Sequence, residues 1–191
     1  MRILPIIVLL LTATLAFGQS TSDSTAISKA YEDYADAVNS GNIAEQVAWI
    51  YPKLFDQFPK DSLLSGLTMM QQDPNVQQET GALKALSEIY EWDQKKYALL
   101  SYRQAVTMDL SHMKGEGGAS FAINLMLANL ADDHGKENVI FNDSTYMLDL
   151  KTIQEMYAVF DPEYGSWKFL MKSEDMPVDE STIPTLIQEK F

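Results

Sequence analysis

Apolar and polar positions along this chain follow three successive patterns. The first is a continuous apolar run, Ile3-Leu4-Pro5-Ile6-Ile7-Val8-Leu9-Leu10-Leu11, preceded by Arg2 and followed by small residues ending Ala16-Phe17-Gly18. The run is too short to span a bilayer. With its positive start and small residues ahead of Gln19, it predicts a secretory signal peptide over residues 1–18, cut before Gln19. The second pattern has helical period. A short polar lead-in over residues 19–24 predicts a helix N-cap among Ser22, Asp23 and Ser24. Beyond it Ile27, Ala30, Tyr31, Tyr34, Ala35 and Val38 recur every three or four residues, and Asn39-Ser40-Gly41-Asn42 supplies the stop. A second helix is predicted from Ile43 through Val47, Ile50, Leu54 and Phe58. Pro52 lies inside its stripe, lacks a backbone donor and crowds the preceding turn, so a kink or restart is expected near Trp49 to Tyr51. A third helix opens at Pro59-Lys60-Asp61, carries Leu63, Leu64, Leu67 and Met70, and closes at Asp73-Pro74. Gly66 weakens it by about 1 kcal/mol relative to Ala.

The third pattern has period two. Leu83 to Trp92 and Lys96 to Leu110 read as strands joined by a turn at Asp93-Gln94-Lys95. In the second of them Ala98, Leu100, Tyr102, Val106, Met108 and Leu110 share one side, and Ser101, Arg103, Thr107 and Asp109 the other, which predicts one buried face. Lys114-Gly115-Glu116-Gly117-Gly118 is a flexible connection to a fourth helix over Ser120 to Asp133, with Phe121, Leu125, Leu127 and Leu130 inward and Gly135 as its stop. Two hairpins follow. Val139 to Phe141 and Tyr146 to Leu150 flank Asn142-Asp143-Ser144, and Ile153 to Phe160 and Trp167 to Met171 flank the turn from Asp161 to Ser166. The acidic tail over residues 177–191 ends in a short helix, Pro184 to Glu189. Helices packed on one antiparallel sheet of hairpins make an α+β fold, because the strands are joined by short turns rather than by crossover helices.

Charge and composition narrow the function. The chain has 191 residues, 14 basic and 27 acidic, and a formal net charge of -13. Removing the signal peptide would take Arg2 and no acid. Nucleic acid and anionic membrane are therefore poor partners. There is no cysteine, which excludes a lipid-modified cysteine, a thiol nucleophile, an iron–sulfur cluster and a thiolate zinc site. With no further apolar stretch of spanning length, the expectation is an exported protein, periplasmic or secreted, with no membrane anchor once the signal is removed.

Candidate chemistry is sparse. The histidines are His112, which could work beside Asp109 only if the strand ends before it, and His134, which sits where a helix dipole favours its protonated form. No Gly-x-Ser-x-Gly elbow is present. Asp132, Asp133, His134 and Glu137 match no metal-binding spacing, so no metal site is assigned. Gly115-Glu116-Gly117-Gly118 lacks the spacing of a phosphate loop and carries an acid that repels phosphate, so no cofactor is assigned. Asn142-Asp143-Ser144 has the form of a glycosylation sequon and equally of an ordinary turn.

One resemblance adds to this reading. Helices followed by Tyr51-Pro52-Lys53-Leu54-Phe55, the hairpin from Ile89-Tyr90-Glu91-Trp92 to Tyr97-Ala98-Leu99-Leu100, and the late strand Trp167-Lys168-Phe169-Leu170 resemble a secreted branch of the NTF2-like (cystatin-like) superfamily. The resemblance spans residues 25–172, within a domain placed at 25–176, and rests on packing motifs. It implies a curved sheet wrapped around a helix, leaving a cone-shaped cavity. Because that superfamily holds isomerases, dehydratases, cyclases and assembly subunits, it implies a pocket and no particular reaction. The polar and aromatic residues assigned to the pocket are Tyr31, Tyr34, Trp49, Tyr51, Arg103 and Asp109. Three functions follow as expectations: noncatalytic binding of a small apolar ligand or a protein partner, proton transfer by a carboxylate desolvated in the cone, and homodimeric assembly through the open sheet.

Overall fold

The computed structural model of the chain describes residues 4–173 and 178–191, with side chains in the first helix from Ser22 onward. Helices come first: α1 (Leu4–Asn39), α2 (Ile43–Trp49), α3 (Leu54–Gln57) and α4 (Lys60–Gln72). The sheet follows as β1 (Val76–Leu86), β2 (Tyr90–Trp92), β3 (Lys95–Asp109), β4 (Val139–Asn142), β5 (Met147–Asp161) and β6 (Ser166–Met171). Helix α5 (Ala119–His134) is inserted between β3 and β4, and α6 (Thr185–Gln188) ends the chain. The six strands form one antiparallel, curved, open sheet, and the fold class is α+β.

Two long strands are its spine. β3 and β5 pair without interruption from Lys96 opposite Phe160 to Asp109 opposite Met147. The outer edge of β3 carries β1 and β2, and the outer edge of β5 carries β4 and β6. Alternation along the spine then sorts the core. Ala98, Leu100 and Tyr102 of β3 and Met156 and Ala158 of β5 pack against Ile27, Ala30, Tyr31 and Ala35 of α1. The opposite set, Tyr97, Tyr157, Val159 and Leu170, packs against Tyr51, Leu54, Ile183 and Ile187. A third cluster at the far end joins Leu110 and Leu148 to Ile123 of α5, flanked by Leu127 and Leu130.

Several elements differ from the sequence expectation. No N-cap forms at Ser22 to Ser24, because α1 runs through them: Ser28 bonds back to the Ser24 carbonyl, and the Asp23 carboxylate pairs with Lys96 on β3 at 2.6 Å instead of capping. Of the expected signal segment, residues 1–3 lie outside the described residues and the backbone of 4–18 is helical. Pro52 breaks its helix completely; Ile50 is extended, and the Tyr51 amide bonds the Phe169 carbonyl of β6 at 2.9 Å. The strand expected over Leu83 to Trp92 is divided into β1 and β2, and β1 starts seven residues earlier, at Val76. The turn before β3 is two residues, Asp93 and Gln94, both with positive φ as a tight primed hairpin requires. The two strands expected over Tyr146 to Phe160 are one, β5. At Tyr97, Ala98 and Leu100 β3 is buried on both faces rather than one.

In α5 the inward stripe is Ala119, Ile123, Leu127 and Leu130, while Phe121 is 75 % exposed and Leu125 53 %. Helical geometry, not size, chose the stripe. The C-terminal segment from Val178 is part of the core, since Ile183 and Ile187 are fully buried in the second cluster. Among the described residues no helix is long and apolar enough to cross a membrane.

Candidate functional site

The helices that follow α1 do not seal the sheet. Gly41, at φ 71°, turns the chain out of α1 into α2, and the break at Pro52 sets α3 apart from it. Helix α4 then lies over the opening with no residue fully buried. Beneath it is a cavity of 190 Å³, walled by Leu63 and Leu67 of α4, Ile50, Leu54, Met156 of β5, and Phe169, Leu170 and Met171 of β6. Tyr34 of α1 and Gln46 of α2 complete the wall. A second cavity of 590 Å³ adjoins it and shares Tyr34, Gln46, Leu67 and Met171. Its rim is amide-rich, with Asn39, Gln71, Gln77, Gln78 and Gln104. Among the described residues no Asp, Glu, Lys, Arg or His lines either cavity.

Two polar side chains stand at the junction. The Tyr34 ring rests on Phe169, with centroids 5.6 Å apart, and its hydroxyl makes no hydrogen bond among the described residues. Burial pushes its pKa up to about 12, so the hydroxyl keeps its proton at any physiological pH. Gln46 is 4 % exposed, and its Nε2 donates to the Ala37 carbonyl at 3.2 Å. That bond fixes the carboxamide and leaves Oε1 with no donor among the described residues. Among the described residues no fully enclosed side-chain N or O lacks a partner, so the Tyr34 hydroxyl and Gln46 Oε1 keep some accessible surface, and both residues line the two cavities.

The other residues assigned to the pocket from the sequence lie elsewhere, and the structure does not bring the set together. Tyr31 is buried between α1 and β1, with its hydroxyl donating to the Gly81 carbonyl. Gly81 is where β1 bulges against β3, so close that a Cβ there would meet the Arg103 carbonyl at 3.2 Å. Trp49 packs beside Phe169 at 6.2 Å, under the Lys168 ammonium. Tyr51 is wholly buried and donates to Asp161 Oδ2 at 2.8 Å. Arg103 is exposed and lines a separate groove of 830 Å³ with Glu79, Lys84, Asp133, His134 and Lys151, where both signs of charge meet. Asp109 ends β3 and accepts the Ser111 amide at 2.8 Å; bonding from Ser111 holds its carboxyl below the ordinary range. The strand does end before His112, as that pairing required, yet Asp109 bonds Ser111 rather than the imidazole. Among the described residues no group of His, Asp and Glu is arranged to hold a metal.

The cavity residues that sequence reasoning passed over are Gln46, Leu67, Gln104, Met156, Phe169 and Met171. One signal was legible for Gln46, a glutamine beside Val47 on the inward side of a short helix. The others lie on positions that read as ordinary core.

The chain was also compared with protein-family models, curated proteins and solved structures. It matches none of them.

Proposed function

We propose that this chain is an exported NTF2-like protein that binds, without turnover, a small apolar group in the cavity under α4. The α+β architecture, helices on a curved antiparallel sheet, is compatible with an NTF2-like cone. The observation that carries the reading is the 190 Å³ space walled by Leu63, Leu67, Met156 and Phe169. An apolar cavity of about 150 Å³ stays dry and takes up a benzene-sized guest, because water gains too few hydrogen bonds there to enter. A chain of about six methylenes buried at about 0.8 kcal/mol each supplies roughly 5 kcal/mol, from which the costs of association are subtracted. Helix α4 is the natural door: its leucines are only partly buried, and Met69 and Met70 are exposed, Met70 on the wall of the second cavity. Proton transfer would need a carboxylate at the cavity, and among the described residues none lines either cavity.

The test is titration with the uncharged dye N-phenyl-1-naphthylamine, whose emission rises when it leaves water. The chain should bind it saturably, and Leu67→Trp, which places an indole in the space, should abolish the signal while unfolding cooperatively. Unchanged binding in Leu67→Trp would remove this site from the account. Export is tested separately by the mature N-terminus, expected at Gln19 in protein recovered outside the cytoplasm.

A further inference from the structure

The wall of the two cavities says more about the guest than that it is apolar. This step rests on the binding function proposed above. Two neutral hydrogen-bonding residues, Tyr34 and Gln46, line both cavities, and neither the Tyr34 hydroxyl nor Gln46 Oε1 has a protein partner among the described residues. We infer that this pair reads the head of an uncharged amphiphile: a short apolar tail lies under α4, and a hydroxyl or amide head sits between Tyr34 and Gln46 at the mouth of the amide-lined cavity.

The complementarity is specific. Tyr34 offers one donor, and Gln46 Oε1 offers an acceptor fixed in place because its own Nε2 is held by the Ala37 carbonyl. A hydroxyl, which both donates and accepts, satisfies both at once. A primary or secondary amide does the same. A carboxylate can only accept, so it would leave Gln46 Oε1 facing an oxygen, and an ammonium can only donate, so it would face the Tyr34 hydroxyl without using its proton. Neither ion would find a counter-charge, since among the described residues no charged side chain lines either cavity. Bringing an unpaired ion into such a space forfeits its hydration without recompense. Beyond the pair, Gln71, Gln77, Gln78 and Gln104 continue the neutral lining, so a head larger than a single hydroxyl still meets amides.

The experiment compares six-carbon guests that differ only at the head: 1-hexanol, 1-chlorohexane, hexanoate and hexylammonium. Each displaces N-phenyl-1-naphthylamine from the full chain at pH 8, where the last two are charged. 1-Hexanol should bind at least about tenfold more tightly than either ion, and about three- to tenfold more tightly than 1-chlorohexane, which has the tail but no donor. Tyr34→Phe removes a hydroxyl that holds nothing in the protein. It should erase the preference for alcohol over chloride, read as the ratio of the two affinities within the same variant. Gln46→Met should do the same by a second route. Hexanoate binding as tightly as 1-hexanol, or a preference for alcohol that survives in both variants, overturns the inference while the apolar site stands. Failure of the dye and of 1-chlorohexane to bind at all overturns the inference together with the function on which it rests.

Discussion

Asp161 offers a demanding test of how the spine strands are held to the helical layer. Its residue is 3 % exposed, and three donors converge on its carboxylate: Tyr51 at 2.8 Å and Lys95 at 2.9 Å on Oδ2, and the Glu163 amide at 3.0 Å on Oδ1. The network ties the end of β5, the start of β3 and the segment between α2 and α3. Burial alone would raise the Asp161 pKa, but the Lys95 ammonium, the Glu163 amide and the Tyr51 hydroxyl together hold it below its ordinary value of 3.8. In Asp161→Asn one of the two oxygens becomes an amide nitrogen. If it faces Lys95 and Tyr51, donors meet donors; if it faces Glu163, it meets the amide N–H. Either way a buried acceptor and the ion pair are lost. Removing one partner of a buried pair costs about 3–5 kcal/mol, and because a quarter of the Lys95 side chain stays in water the expected cost is about 3 kcal/mol.

Urea unfolding at pH 7 measures it. With a slope of about 2 kcal/mol per molar, the midpoint should fall by about 1.5 M. The pH dependence fixes the cause. A carboxyl whose folded pKa is depressed contributes stability that is fully present above its unfolded value and disappears as the pH falls through the folded one. The gap between wild type and Asp161→Asn should therefore be constant from pH 7 to about pH 5 and should close below 3.8. A cost under 1 kcal/mol at pH 7, or a gap that persists unchanged at pH 2, would refute the assignment.

Two further substitutions probe the packing. Ile187→Ala should destabilise by about 2–4 kcal/mol, because the side chain is fully buried among Tyr157, Leu170 and Ile183, and thermal or urea unfolding will show whether the C-terminal segment belongs to the core. Phe121→Ser should leave stability within about 0.5 kcal/mol, since the ring is three-quarters exposed; a loss of 2 kcal/mol would return Phe121 to the interior.

The parts of the fold that could be read from sequence are those where local pattern and final environment agree. β3 alternates from Ala98 to Arg103, where Ala98, Leu100 and Tyr102 are buried while Leu99, Ser101 and Arg103 are less covered. The first half of β1 could not be read, because Gln77, Gln78 and Glu79 lie on an open edge strand and carry no apolar alternation. β5 was divided at Lys151 and Thr152, yet Leu148, Leu150 and Thr152 are all buried, so the alternation continues through a threonine that stands in for an aliphatic. In α5, size misled where geometry decided. Phe121 is far larger than Ala119 and Leu125 equals Ile123 in size, but Ala119 and Ile123 are the buried pair, and Ile123 packs with Leu148.

The candidate site was less legible than the fold, for a physical reason. Tyr31, Tyr34, Trp49 and Tyr51 all carry the apolar body and polar tip that suit either a core or a pocket, and which role each takes depends on what its tip meets. Tyr31 meets the Gly81 carbonyl and Tyr51 meets Asp161, contacts 50 and 110 residues away in the chain that no local pattern encodes. Tyr34 meets open space, because α4 lies over it without burying any residue of its own. The cavity is thus a product of the break at Pro52 and the loose seat of α4, and only the first of these was visible in advance.

A crystal structure of the chain soaked in 1-hexanol tests the central claim most directly. Ordered alkyl density is expected between Leu67, Met156 and Phe169, with its oxygen in hydrogen-bond reach of the Tyr34 hydroxyl and Gln46 Oε1. A cavity that stays empty, or alcohol found only against the exposed Phe121 and Leu125 on α5, would contradict it.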